Sequence, residues 1–148
     1  MSQVVATSEA IVRAPAERVI SALADYEAVR PRILPVQFSE YRVESGGQGA
    51  GTTVHWRFAA TSKRVRDQLL DVTEPAPGTL VESDRNSSMV TTWTVLAADA
   101  GASTVRVRTT WDGAGGISGF FERTFAPKGL ARVYSDLLTR LDAELAAG

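Results

Sequence analysis

The chain offers few side chains that could carry out chemistry. It has one histidine, His55, and no cysteine, which excludes disulfides, thiolate nucleophiles and cysteine zinc sites together. No Ser/His/Asp arrangement can be built around His55, and one histidine among scattered carboxylates has no metal-ligand spacing. We therefore expect no metal and no cofactor. The composition favours a binding protein over an enzyme, and catalysis stays an open alternative.

Two further motifs have ordinary structural interpretations. The glycine-rich stretch 46–51 lacks the G-x-G-x-x-G spacing and leads into a strand, so it predicts a hairpin loop and not a phosphate site. The basic run 63–66 has no interleaved aromatic residues for stacking on bases. The net charge of −1 gives no electrostatic reason to bind nucleic acid. An adaptor that docks through an outer patch of Arg57, Arg64 and Arg66 remains a third possibility.

The size of the chain suits one domain. Its 148 residues are enough to form one hydrophobic core but too few for two comfortable domains. We therefore expect a single ligand-binding domain over 1–148. The N-terminal residues carry charges, and no segment reaches the roughly 18 apolar residues that a transmembrane helix needs. We expect a cytoplasmic protein without integral membrane association, either a monomer or a weak homodimer.

The hydrophobic periodicity changes along the chain and indicates the order of elements. Residues 4–12 alternate as a strand does, and Pro15 then starts a helix that a second short helix follows, over 26–33. Six strand-like segments occupy 38–111, and a helical stripe runs from Leu130 to Leu145. The pattern predicts an α+β fold in which an antiparallel sheet packs against the C-terminal helix. Pro127 is expected to kink or restart that helix.

The last two strands predict one face of the sheet. If their loop is symmetric, Trp93 pairs with Val107 and Thr91 with Thr109, with Trp111 further along the same face. This face is apolar, so it should point inward. Its polar members are the two threonines.

The hairpin around residues 60–61 admits two registers. A two-residue turn pairs Trp56 with Val65, which places Asp67 on the inner face and needs a β-bulge near Leu69 further along the strand. A one-residue slip would instead turn Arg64 and Arg66 inward. We favour the bulge, since it buries one charge and the slip buries two. Asp67 is then the candidate catalytic acid or base.

The chain also resembles a known family. Residues 14–19 (APAERV) with Asp25 and Tyr26 resemble the first strand-to-helix passage of START-related proteins in the SRPBCC superfamily. Residues 119–127 (GFFERTFAP) and 134–138 (YSDLL) resemble the C-terminal helix of its polyketide cyclase/dehydrase-like group. The stretches 30–32, 62–67 and 84–88 are similar to a bacterial, actinobacterial branch.

The resemblance implies a helix-grip fold, in which a curved seven-stranded antiparallel sheet wraps around the long C-terminal helix. It also implies a cavity for a small hydrophobic ligand such as a lipid, sterol or polyketide, with cyclisation or dehydration catalysed by a minority of members. The cyclase members use polar cavity residues, for which this chain offers Asp67, Thr91, Thr109 and Tyr134.

We predict twelve residues in or at the edge of such a cavity. They are Ile33, Leu34, Trp56, Phe58, Asp67, Thr91, Trp93, Thr109, Trp111, Phe121, Phe125 and Tyr134. The glycine-rich segment 113–119 is expected to be mobile, with Ile33 and Leu34 meeting Phe120 and Phe121 across the opening.

Overall fold

The structure is a computed structural model that describes residues 3–61, 64–99, 101–113 and 116–147, without the side chains of 60–61, 64 and 116–125. Among the described residues, seven strands and three helices follow one another in the order that the sequence predicts. The elements are β1 (Gln3–Val12), α1 (Ala16–Leu23), α2 (Arg30–Ile33), β2 (Phe38–Ser45), β3 (Thr53–Thr61), β4 (Arg64–Ala76), β5 (Thr79–Asp84), β6 (Val90–Ala97), β7 (Ser103–Asp112) and α3 (Gly116–Ala147).

All seven strands form one antiparallel sheet in the order β1-β7-β6-β5-β4-β3-β2. Consecutive strands from β2 to β7 are neighbours because short turns join them, and β1 returns to pair with β7. The glycine at position 78 has φ +79° in the β4–β5 turn, a conformation that glycine adopts without strain. The helix-grip prediction is therefore confirmed.

The inner face of the sheet meets one side of α3. Alternate residues of β6 and β7 are buried, and so are the helical positions 130, 134, 137, 138, 141 and 145 that the periodicity predicts. Asp136 and Arg140 form an i,i+4 ion pair on the solvent side, with 2.9 Å between Oδ1 and Nε. Pro127 does not restart the helix, because α3 continues through it.

The β6–β7 register follows the prediction. Thr91 pairs with Thr109, Trp93 with Val107 and Val95 with Val105. Trp111 is buried on the same strand face.

The β3–β4 register differs from the favoured prediction. Trp56 pairs with Gln68 instead of Val65, and the ladder runs without a break past Leu70, so no bulge forms there. The change from position 65 to 68 is odd, and an odd shift exchanges the two faces of a strand. Gln68 and Leu70 therefore point inward, while Asp67 points outward. The prediction of an inner Asp67 is wrong.

Candidate functional site

The interior between the sheet and α3 contains a cavity with mainly aromatic and aliphatic walls. Strands β3 to β6 form its floor, α3 its roof, and α2 with the start of β2 one end. Its lining consists of Arg30, Leu34, Phe38, Trp56, Phe58, Gln68, Leu70, Glu82, Met89, Thr91, Trp93, Leu130, Tyr134 and Leu137.

The cavity is small. Its volume is about 20 Å³, roughly the space that one water molecule needs. Pockets for drug-sized ligands are in the range of about 300–1,000 Å³. A ligand of that size therefore needs the walls to move apart. Leu34 and Phe38 are the half-buried members of the lining, whereas the other lining residues are buried, so the segment between α2 and β2 is the outer edge of the site.

A buried ion pair forms the polar centre of the cavity wall. Arg30 Nη2 lies 2.8 Å from Glu82 Oε2, and the two side chains are only 1% and 2% exposed. Glu82 also accepts hydrogen bonds from Trp93 Nε1, at 3.0 Å, and from the Tyr26 hydroxyl. Arg30 donates from Nε and Nη2 to the Leu23 carbonyl oxygen, at 3.2 and 3.0 Å. This charged contact therefore joins four elements: the C-terminal end of α1, helix α2, strand β5 and strand β6.

The surroundings of Arg30 keep its charge in place. Burial alone would lower the pKa of Arg30, but the Glu82 carboxylate beside it keeps that pKa above its usual value. The guanidinium carbon lies 4.7 Å from the Tyr26 ring centroid and 5.2 Å from that of Trp93, within cation–π distance. Burial, together with the charge of Glu82, raises the pKa of the Tyr26 hydroxyl well above its ordinary value.

Uncharged polar groups border the remainder of the cavity. The Tyr134 hydroxyl is hydrogen-bonded to Thr109 and, at 3.3 Å, to Thr91. Burial raises the pKa of Tyr134 to about 12, so this hydroxyl is neutral at physiological pH. Across the floor, Trp56 Nε1 donates to Gln68 Oε1 at 2.8 Å. These groups can exchange hydrogen bonds with a ligand's hydroxyl or carbonyl.

The structure places the predicted cavity residues in four groups. Six border the cavity, and these are Leu34, Trp56, Phe58, Thr91, Trp93 and Tyr134. Ile33, Thr109 and Trp111 are buried nearby without bordering it. The side chains of Phe121 and Phe125 lie outside the described residues, as do residues 114–115 of the expected gate, whereas 116–119 form the first turn of α3. Asp67 is on the opposite face. A ligand-binding role for these residues stays a prediction.

Asp67 takes part in a separate outer cluster. Its side chain is 59% exposed, and Oδ1 lies 2.7 Å from His55 Nε2. His55 Nδ1 lies 2.9 Å from the Glu40 carbonyl oxygen, which a bulge in β2 and a left-handed φ of 50° at Glu40 turn toward the ring. His55 is thus buried between two acceptors. Asp67 is outside the cavity and cannot act on a ligand there.

The predicted outer patch of arginines does not form. Arg57 pairs with Asp67 across the ladder and lies 3.3 Å from Glu40 Oε2, so acidic groups surround it. Arg66 pairs with Phe58, on the strand face that leads to the interior. The side chain of Arg64 lies outside the described residues. The β3–β4 register therefore puts Arg57 and Arg66 on opposite strand faces, unlike the single outer patch of the adaptor interpretation.

Sequence reasoning missed Arg30, Glu82 and Gln68. Leu80 pairs with Trp93 and is buried on the inner face, so Glu82, two residues further along, lies on the same face. Pairing the alternate residues of β5 with those of β6, starting from Trp93, could have shown that Glu82 faces inward. Gln68 was missed through the register of β4, and Arg30 because a short helix has too few residues to reveal a buried face.

The described residues contain neither a cluster of metal-ligating side chains nor a membrane-spanning helix. No three His, Cys, Asp or Glu side chains in these ranges come together as metal ligands would. Within the same ranges, no helix combines the length and apolarity needed to cross a membrane.

Comparison with known proteins shows the family. The family model described as "Polyketide cyclase / dehydrase and lipid transport" matches residues 3–146, and the chain belongs to this family. The solution structure of the KanY protein is 46% identical and superposes with a TM-score of 0.89, with 99% of each chain covered.

More distant structures share the fold alone. A START superfamily protein from Mycobacterium smegmatis is 14% identical, with a TM-score of 0.75 over 94% of this chain and 97% of its own. The Zhui aromatase/cyclase from Streptomyces sp. R1128 is 16% identical, with a TM-score of 0.73 over 97% and 93%. No curated protein matches this chain.

Proposed function

We propose that this protein binds a small hydrophobic ligand, such as a lipid, sterol or polyketide, in the interior between the sheet and α3, for transport or sequestration. The observation that carries the proposal is an apolar, aromatic-walled cavity bordered by a few buried polar groups. This combination is typical of small-molecule sites, where apolar walls give affinity and polar groups give orientation. The family description, which includes lipid transport, supports the same class of ligand.

Binding requires the cavity to expand at its outer edge. Leu34 and Phe38 are half-buried there, and Val36 between them is 90% exposed. The Phe38 ring contacts Trp56 edge-on, with 5.5 Å between centroids. We expect a ligand to enter beside Leu34 and to displace Phe38 from Trp56.

The proposal is tested by titration with a panel of fatty alcohols, sterols and polyphenols, followed through tryptophan fluorescence. Trp56 and Trp93 border the cavity, so a bound ligand changes their emission. Thr91→Leu puts a larger side chain into the cavity and should weaken binding by about tenfold or more, a change worth roughly 1.4 kcal/mol. Thr92→Leu is the matched control, since Thr92 is next along β6 and faces outward.

Two outcomes would contradict the proposal. One is the absence of a saturable response to any member of the panel. The other is equal weakening by Thr91→Leu and Thr92→Leu, because this would place the binding event outside the cavity.

A cyclase or dehydratase activity is the second candidate. It is favoured by Glu82 and Tyr134, two groups able to exchange protons, which both border the cavity. Binding without chemistry is better supported, since three donors already occupy the Glu82 carboxylate. The two candidates separate by chromatography and NMR of a polyketone after incubation with the protein, with mass spectrometry to detect loss of water, since cyclisation alone leaves the mass unchanged. Recovery of the unchanged molecule supports binding, and recovery of a cyclised or dehydrated product supports the enzyme.

A further inference from the structure

The charges that border the cavity cancel each other. Among the described residues that line it, Arg30 and Glu82 are the charged ones. We propose that this pair makes the site selective for uncharged ligands that carry a hydroxyl or carbonyl oxygen, and that it excludes the carboxylates and amines of the same carbon skeleton. The inference rests on the proposed binding function and names the class of ligand that the site accepts.

The two members of the pair neutralise each other's charge, so the pair offers a ligand no net charge. Glu82 Oε1 accepts from Trp93, and Oε2 accepts from Tyr26 and from Arg30. Arg30 is held by the Leu23 carbonyl and by Glu82, with its guanidinium against two aromatic rings. A ligand carboxylate would lose its hydration on entry, and the interior would supply no net positive charge in return. A ligand ammonium would also lose its hydration on entry, and the interior would supply no net negative charge in return.

The nearby charges outside the lining do not change this balance in favour of an anion. Asp84 is buried one pleat further along β5, and its Oδ1 and Oδ2 accept from Leu69 N at 3.0 Å and from Ser87 Oγ at 2.7 Å. Its negative charge adds to the cost for a carboxylate. Arg66, opposite Phe58 on β4, is half-buried and does not border the cavity.

Uncharged oxygen atoms, in contrast, can be accommodated. Tyr134, Thr91 and Gln68 border the cavity with neutral hydroxyl and amide groups. Each can donate to or accept from a hydroxyl or a carbonyl, which keeps a buried ligand oxygen hydrogen-bonded.

The proposal assigns opposite effects to the two charged residues, and this separates it from a purely structural role. Glu82→Gln leaves a net positive charge beside the cavity, and Arg30→Gln leaves a net negative one. If the pair only holds α2 against β5, both variants should weaken every ligand in the same way. If it selects by charge, the first variant should favour acids and the second should favour amines.

The test uses three probes with one chain length: decanol, decanoic acid and decylamine, at pH 7 and below their micelle concentrations. For the unmodified protein we expect decanol to bind and the acid and the amine to bind about tenfold more weakly or worse. Glu82→Gln should improve the acid relative to decanol by about tenfold, and Arg30→Gln should do so for the amine. Arg106→Gln, which removes an exposed arginine from the outer face of β7, is the control and should leave the order unchanged.

The outcomes separate the two proposals. If none of the three probes nor any member of the panel binds, the proposed function fails and the inference fails with it. If decanoic acid binds the unmodified protein as tightly as decanol, the function stands and the selectivity is overturned. That comparison needs no variant, so it decides the matter even if Glu82→Gln and Arg30→Gln do not fold. Equal losses for all probes in folded variants would also overturn the selectivity.

Discussion

Glu82 joins three parts of the molecule through one carboxylate. Its partners are Tyr26 after α1, Arg30 in α2 and Trp93 in β6. Taking two charges out of water costs several kcal/mol per ion, so such a pair need not stabilise the fold relative to apolar residues of the same volume. Its position in the cavity wall therefore fits a role in ligand selection.

Breaking the pair from one side should destabilise the protein more than removing it entirely. We expect Arg30→Met to lower the free energy of unfolding by about 3–5 kcal/mol, because Glu82 is left as an unpaired buried charge. The double variant Arg30→Met/Glu82→Leu should recover only part of this loss, because it removes the unpaired charge but leaves Trp93 Nε1 and the Tyr26 hydroxyl without their acceptor. Urea denaturation measures both. The exposed pair Arg106–Glu9 is the control, where Arg106→Met should cost less than about 1 kcal/mol. A double variant as unstable as the single would contradict this account.

The three tyrosines of the chain provide a pH prediction. Burial raises the pKa of Tyr26 and Tyr41, and raises that of Tyr134 to about 12. The folded protein keeps these protons above pH 10, where an unfolded chain releases them, so unfolding releases protons and stability falls as pH rises above about 10. Below about pH 10 the three tyrosines are neutral, and their full contribution to the free energy of unfolding is present.

Tyrosinate absorbance measures this directly. The folded protein should show little tyrosinate at pH 10, and the same protein in guanidinium chloride should be about half ionised there. Ionisation of one tyrosine at pH 10 in the folded state would show that its hydroxyl is accessible to water.

The register of β3 and β4 determines which side chains enter the cavity. Because Val54 pairs with Leu70 and Trp56 with Gln68, β4 supplies an aliphatic group and an amide to the floor. Its acidic neighbour Asp67 points to solvent. A shift by one residue would reverse this arrangement.

Two neighbouring leucines of β4 test this register with the same substitution. Leu70 is 2% exposed and borders the cavity, so Leu70→Ala should cost about 2–5 kcal/mol. Leu69 is half-buried on the other face, and Leu69→Ala should cost clearly less, on the order of 1 kcal/mol. Urea denaturation compares the two variants. The reverse order would contradict the observed register, in which Leu70 and not Leu69 faces the cavity.

The sequence predicted the elements well because their periodicities are long and regular. The β6–β7 pairing was also predictable, since the apolar alternation of Trp93 and Val95 matches that of Val107 on the next strand. The β3–β4 pairing was not, because it depends on the length of a turn, and an error of an odd number of residues exchanges the faces. The site inherits this difference. The sequence predicted cavity residues on the regularly alternating strands and on α3. It did not predict Arg30 and Glu82, because their positions depend on contacts between distant elements.

At the scale of the whole molecule, the sheet and α3 enclose an interior with little free space, about 20 Å³. A ligand must therefore replace internal contacts with its own. The half-buried residues at the α2–β2 segment mark where this exchange would begin. A bound ligand should also raise the melting temperature, because it binds the folded state and not the unfolded chain.

The most direct test of the internal site uses the three tryptophan indole groups in a nitrogen–proton correlation spectrum. Trp56 and Trp93 border the cavity, while Trp111 is buried but does not border it. During titration with decanol, with resonances assigned through Trp→Phe variants, the indole signals of Trp56 and Trp93 should shift saturably and that of Trp111 should stay nearly unchanged. The absence of any shift, or a shift of Trp111 alone, would contradict a ligand site between the sheet and α3.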